Sequence, residues 1–257
     1  PPLSPAPGLK PLLQGPGETV CALRMVYLKD VTTDNVLPFL AVGTATLLGE
    51  DYPCLGHITL YSLEKGSRDL GGGSRETVWS AKVAAARDMA GALTSLQDFK
   101  GMLLATVGKT VELYTLRSGG AGGHTAAGGP GYSLVKNAFY EMHVMPTHVA
   151  QVKDFLAVGD AHRGVTFLRY SEASKVLEVL GRDYGHTDTL ATGLLINGPK
   201  LLLAASDAGG TLRAFEYARG HPASWTGQRL LCAGSIHIGA LATRLASFKM
   251  PTSDGAN

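Results

Sequence analysis

The stretch FLAVGDAHRGVTFLRY, residues 155–170, decides the fold. It is an apolar run closing on small residues, a polar break from Gly159 to Gly164, and a second run that ends in an aromatic. Within it Val165 and Phe167 alternate with Thr166, so every second side chain points to one face, as a half-buried strand requires. A helical stripe would need apolar residues three and four apart along the whole stretch. The break is therefore expected to be the turn of a β-hairpin.

The same grammar returns in FLAVGTATLLGEDYPCLGHITLYSL (39–63), MLLATVGKTVELYTL (102–116) and LLLAASDAGGTLRAFEY (201–217). With Gly43, Gly108, Gly159 and Ser206 as markers, the intervals are about 65, 51 and 47 residues. Uneven loops on a constant core produce such spacing. Each central pair is flanked by two further strand-like runs. VCALRMVYL (20–28), GALTSLQDF (91–99), MPTHVAQV (145–152) and LATGLLI (190–196) precede the pairs, and TVWSAKVA (77–84), YSLVKNAFY (132–140), KVLEVLGRD (175–183) and QRLLCAGSI (228–236) follow them. Four strands in a unit of roughly 40–50 residues is the arithmetic of a β-propeller blade.

A blade has two faces to bury and must stack on neighbours. The expected fold is thus all-β: a partial β-propeller of about four four-stranded antiparallel blades, WD40-like, a fragment of a seven-bladed ring. The expected domain is 18–249, with blades near 18–84, 90–140, 144–183 and 188–238, and GALATRLASF (239–248) opening a fifth. The Pro-rich segment 1–17, the Gly-rich runs 66–75 and 119–131, and the tail 250–257 bury too little apolar surface to offset ordering. They are expected to be flexible and to lie outside the sheets.

Composition narrows the function classes. Charged residues are 17% of the 257, against a usual figure of about 25%. The net charge is +2, so no global field draws the chain onto nucleic acid or a membrane. No run nears the ~18 apolar residues of a membrane span. The opening PPLSPAPGLKPLLQGPG has neither Met nor a basic and apolar leader, which reads as a fragment or processed chain without a signal peptide. Cys21, Cys54 and Cys232 are widely spaced and odd in number, and read as buried free thiols of a reducing compartment.

Catalytic motifs do not survive inspection. ATVGKT (105–110) mimics the end of a phosphate loop, but position 103 is Leu and the following VELYTL is a strand, where that loop needs a helix N-terminus. Asp160 with His162 resembles an acid–base pair. Asp207 repeats the Asp in the next unit, and a residue repeated at equivalent turns usually caps its own backbone. The eight histidines lack zinc spacing. Arg163, Arg169, Arg182, Arg213 and Arg219, interleaved with Tyr170, Phe215 and Tyr217, have the make-up of a base-stacking surface. The competing reading places the arginines in solvent and the aromatics in the blade interior. No catalytic residue, cofactor, metal or small-molecule substrate is expected.

FYEMHVMPTHVAQVKDFLAVGDAHRGVTFLRYSEASKVLEVLGRD (139–183), AVGTATLLGEDYPCLGHITLYSL (41–63) and the SD at 206–207 followed by RLLCAGSIHIG resemble the large propeller subunit of the cleavage and polyadenylation specificity factor. The likeness covers about 18–245. The VGD-like turn is shared with the large damaged-DNA-binding protein of ubiquitin ligases and a splicing factor 3b subunit; the other stretches favour the polyadenylation branch. GHTDTLATGLL (185–195) departs from it. The resemblance implies four consecutive blades of the third propeller, without the helical domain that follows it in the family. It also implies a nuclear, non-enzymatic scaffold for pre-mRNA 3′-end processing. A WD-repeat and a zinc-finger subunit would be its partners, and direct pre-mRNA contact would be secondary. His162, Arg163, Arg169 and Arg213 are the expected partner or RNA contacts. A cullin ligase adaptor or a splicing factor 3b-like scaffold is the alternative.

Overall fold

Residues 155–170 form two paired strands, β10 (Phe155–Asp160) and β11 (Gly164–Ser171), in register from Phe155 opposite Arg169 to Asp160 opposite Gly164. A computed structural model describes residues 17–50, 52–69, 75–119, 131–197 and 200–247. Among these, sixteen strands make four antiparallel sheets, each a four-stranded meander in chain order, and the fold is that of a partial β-propeller. The first sheet holds β1 (Glu18–Lys29), β2 (Val36–Thr46), β3 (Leu55–Asp69) and β4 (Arg75–Met89). The second holds β5 (Leu93–Phe99), β6 (Met102–Val107), β7 (Thr110–Ser118) and β8 (Tyr132–Glu141). The third adds β9 (Pro146–Val152) and β12 (Val176–Arg182) to the opening pair. The fourth holds β13 (Thr189–Asn197), β14 (Lys200–Asp207), β15 (Thr211–Glu216) and β16 (Leu231–His237).

The chain divides between Met142 and His143 into two compact units of two sheets each. In the first unit, Val26, Phe39, Ile58 and Leu60 of one sheet pack with Leu93, Leu96, Leu103 and Tyr114 of the other. Each such side chain contributes about 1.5–3 kcal/mol on burial. In the second unit, Ala157, Val165 and Phe167 meet Leu194, Leu203, Ala205 and Phe215. Polar bonds also join these two sheets: Thr147 Oγ1 donates to the Thr189 carbonyl at 2.7 Å, and Thr192 Oγ1 to the Ala157 carbonyl at 3.0 Å.

The structure departs from the sequence reading at several points. Strand β11 is buried on both faces, with Thr166 and Leu168 as enclosed as Val165 and Phe167. A central blade strand has neighbours above and below, so alternation understates its burial. The run 66–75, expected outside the sheets, instead belongs to β3 as far as Asp69 and to β4 from Arg75, with Lys65 opposite Trp79. An antiparallel ladder needs only backbone groups, and this solvated hairpin uses them without an apolar alternation. Residues 239–247 carry no strand pairing; Ser206 Oγ donates to the Ala242 carbonyl at 2.6 Å, but no ladder holds a fifth blade. The cysteines are free, yet Cys21 and Cys232 are exposed and Cys54 half-buried, because β1 and β16 are edge strands with outward-facing positions. Residues 1–16, 70–74, 120–130 and 248–257, where the flexible segments were expected, lie outside the described residues.

Candidate functional site

The groups that resemble catalysts are committed to structure. Asp160 is fully buried; it accepts from the His162 N–H at 3.1 Å and from the Val144 N–H at 3.1 Å. Asp207 accepts from the Thr211 N–H at 2.9 Å and from Arg213 Nη1 at 2.6 Å. Both aspartates cap the hairpin turns that follow them, as their repetition predicts. ATVGKT is the β6–β7 hairpin, with Val107 opposite Thr110. In the first unit, buried Glu112 accepts from Lys136 Nζ at 2.6 Å, Thr110 Oγ1 at 3.0 Å and the Tyr114 hydroxyl. Burial pushes its carboxyl up, and these bonds outweigh burial and hold it below the ordinary range. Burial and the bond to Glu112 drive the Tyr114 phenol well above its usual value. Among the described residues no three His, Cys, Asp or Glu converge to hold a metal ion.

The four residues singled out as contacts do not form one site. Arg169 pairs with Glu178 at 2.7 Å near the end of β11, and Arg213 is held by Asp207. Of the interleaved aromatics, Tyr170 and Phe215 are buried, and Tyr217 packs on Phe167 at 5.6 Å. His162 and Arg163 remain, both on the β10–β11 turn.

That turn is clamped by the segment after β12. The Gly164 N–H donates to the Thr187 carbonyl at 3.0 Å and the Asp183 N–H to the Val165 carbonyl at 2.7 Å. Gly164 has φ +64, which favours glycine, and a Cβ there would lie 2.5 Å from Asp183 Oδ2, so any larger residue would also displace that carboxylate. Asp183 accepts from the Gly185 N–H at 3.0 Å, and Asp188 pairs with His162 at 2.7 Å. The result is a cleft of about 280 Å³ lined by His143, Arg163, Thr166, Arg182, Asp183, Tyr184 and Gly185. Arg163 Nη1 lies 3.5 Å from His186 Nδ1, and Arg182 Nη1 lies 3.5 Å from His143 Nε2.

A distant segment completes the rim. The connection from β15 to β16 crosses to the third sheet, where the Arg182 N–H donates to the Gln228 carbonyl at 2.8 Å and the Leu230 N–H to the Arg182 carbonyl at 2.9 Å. This docks a short 3₁₀ segment, Pro222–Gly227, against the end of β12. Trp225 then lies 5.1 Å from Tyr184, ring to ring, with the Arg229 guanidinium 5.1 Å from the Trp225 ring. Trp225 and Thr226 are consecutive non-glycine residues in the left-handed region, at φ +49 and +61. Such residues cost about 1–3 kcal/mol each and cluster at functional sites. Tyr184, Trp225 and Arg229 escaped the sequence reading; the one available signal was an aromatic inside a loop, at Trp225.

Comparison with known proteins adds the family. Residues 12–257 match the family model described as the CPSF A subunit region. The chain is 31% identical over 240 residues to a probable cleavage and polyadenylation specificity factor subunit 1 of Oryza sativa subsp. japonica, covering 93% of this chain and 15% of the relative. It is 30% identical over 239 residues to cleavage and polyadenylation specificity factor subunit 1 of Arabidopsis thaliana, covering 92% and 15%. The corresponding subunit of Drosophila melanogaster is 22% identical over 225 residues, covering 87% and 14%. The chain thus spans about 15% of the length of the two plant relatives.

Proposed function

The chain belongs to the CPSF A subunit family, and on that premise we propose that it acts as a non-enzymatic scaffold of the nuclear pre-mRNA cleavage and polyadenylation machinery. It holds partner subunits on its blade loops. The observation that carries this reading is the family match across residues 12–257 together with four blade-like sheets. Relatives named as specificity factor subunits support a recognition role over a catalytic one. The carboxylates support it too, since Asp160, Asp207 and Glu112 are each engaged by donors that position backbone or core. WD-repeat and zinc-finger subunits are the expected partners.

The test is affinity purification of the tagged chain from nuclear extract, followed by mass spectrometry. Recovery of polyadenylation subunits is the expected result. Recovery of a cullin ligase or of splicing factor 3b components in their place would overturn it.

A further inference from the structure

We propose that the outer edge of β4 is a dimerisation edge, which pairs antiparallel with β4 of a second copy about a two-fold axis at Ala81. The inference stands apart from the scaffold reading and concerns the first sheet alone.

The length of the edge comes first. β4 (Arg75–Met89) is the last strand of its sheet and, among the described residues, pairs only with β3. It has 15 residues, whereas β12 and β16, the last strands of the third and fourth sheets, have 7 each. A long bare edge offers its N–H and C=O groups to another chain, and proteins usually block it with charge, proline or a short strand. From Thr77 to Ala86 β4 holds no proline and one charge, Lys82, which Glu64 Oε2 already meets at 2.7 Å. Trp79 and Val83 are 60% and 42% exposed, and Ser80, Ala81 and Lys82 between them are exposed as well.

Register says what fits the edge. Leu60 stands opposite Ala85 and Tyr61 opposite Val83, so Ala84 is the extra residue of a bulge and shifts the alternation of faces by one. A two-fold axis at Ala81 sets Ser80 opposite the second copy's Lys82 and Trp79 opposite its Val83, an aromatic against a β-branched side chain. With the bulge in both copies, Val78 then falls opposite Ala85 and Thr77 opposite Ala86. The last rung sets position 75, an arginine, opposite position 88, an aspartate, and symmetry makes that rung twice. Asp88 is 97% exposed although His57 Nδ1 lies 2.7 Å away, so it is open to a second cation. No rung opposes like charges. A strand of this same sequence meets the edge with matching rungs on both sides of the axis, which makes the occupant a second copy.

The experiment is sedimentation equilibrium of the 257-residue chain at ~5–200 µM, a range over which a self-associating chain changes mass. The parent should approach twice the chain mass at the upper end. Ala81→Lys sets two lysines opposite each other on the axis and should weaken dimerisation by at least about 10-fold. Ala81 is exposed, so this variant keeps the fold, which circular dichroism confirms. Ala81→Cys tests the axis itself, because Cα atoms opposite each other in an antiparallel pair are about 4.5–5.5 Å apart, within reach of a disulfide. With diamide, which takes up the two thiol hydrogens, it should form a covalent dimer. Ala86→Cys, whose copies stand far apart along the paired strands, should crosslink no more than the parent with its three native cysteines. A parent that stays monomeric throughout overturns the proposal, whether or not another protein's strand is found on this edge. So does a dimer that Ala81→Lys leaves within twofold of the parent, or equal crosslinking at 81 and 86. None of these outcomes touches the scaffold reading, whose test is recovery of polyadenylation subunits.

Discussion

Replacing Tyr114 by Phe removes one hydroxyl from the buried network of the first unit and nothing else. Tyr114 is 1% exposed, and its hydroxyl donates to Glu112, which is 5% exposed. A hydrogen bond to an ionised group contributes about 1.5–3 kcal/mol net. Lys136 and Thr110 still donate to the carboxylate afterwards, so the full penalty of an orphaned charge does not arise and the cost should be about 2 kcal/mol. In a chain of this size that lowers the melting temperature by about 4–8 °C. In a Glu112→Gln background the same hydroxyl meets a neutral acceptor and is worth only about 1 kcal/mol, leaving a coupling of about 1 kcal/mol between the two changes. Scanning calorimetry on the parent, both single variants and the double variant at pH 7 measures the cycle. A Tyr114→Phe protein melting within about 1 °C of the parent, or an equal penalty in both backgrounds, refutes the charged bond.

Other outcomes follow from the same geometry. Glu112 has a folded carboxyl below the usual value near 4.3, so its contribution is complete above about pH 4.3 and is lost as pH falls through the depressed value. Melting temperature should hold from pH 7 to about 5 and drop below about 4, and Glu112→Gln should flatten that drop. A Cβ at Gly181 would lie 2.8 Å from the Gly227 carbonyl; Gly181→Ala should cost about 1–3 kcal/mol by urea denaturation. Thr192→Val deletes the donor to the Ala157 carbonyl between the third and fourth sheets and should cost about 1–3 kcal/mol, read by the same denaturation.

What the sequence could reveal was set by distance along the chain. The hairpin at 155–170 and the caps at Asp160 and Asp207 rest on neighbours within a few residues, so alternation and turn chemistry were enough to read them. Thr192 looks like any strand threonine until a carbonyl 35 residues away stands over it. The cleft was legible only at Arg163 and Arg182. Its rim depends on Arg182 meeting Gln228 and Leu230, an isolated parallel bridge between the end of β12 and the β15–β16 connection that leaves no periodic trace. Arg169 and Arg213 share Arg163's local pattern and yet stand in ion pairs; side-chain partners across a sheet decide that, and composition does not.

Because Arg229 follows Arg182 by about 47 residues, the two halves of the rim are not made together. A ribosome adding roughly 5–20 residues per second exposes the guanidinium half some seconds before the indole arrives to cover it. Ordering of this surface is therefore a late event of biosynthesis. Any interruption of the nascent chain between the two would release a third sheet whose edge at Arg182 is unfinished.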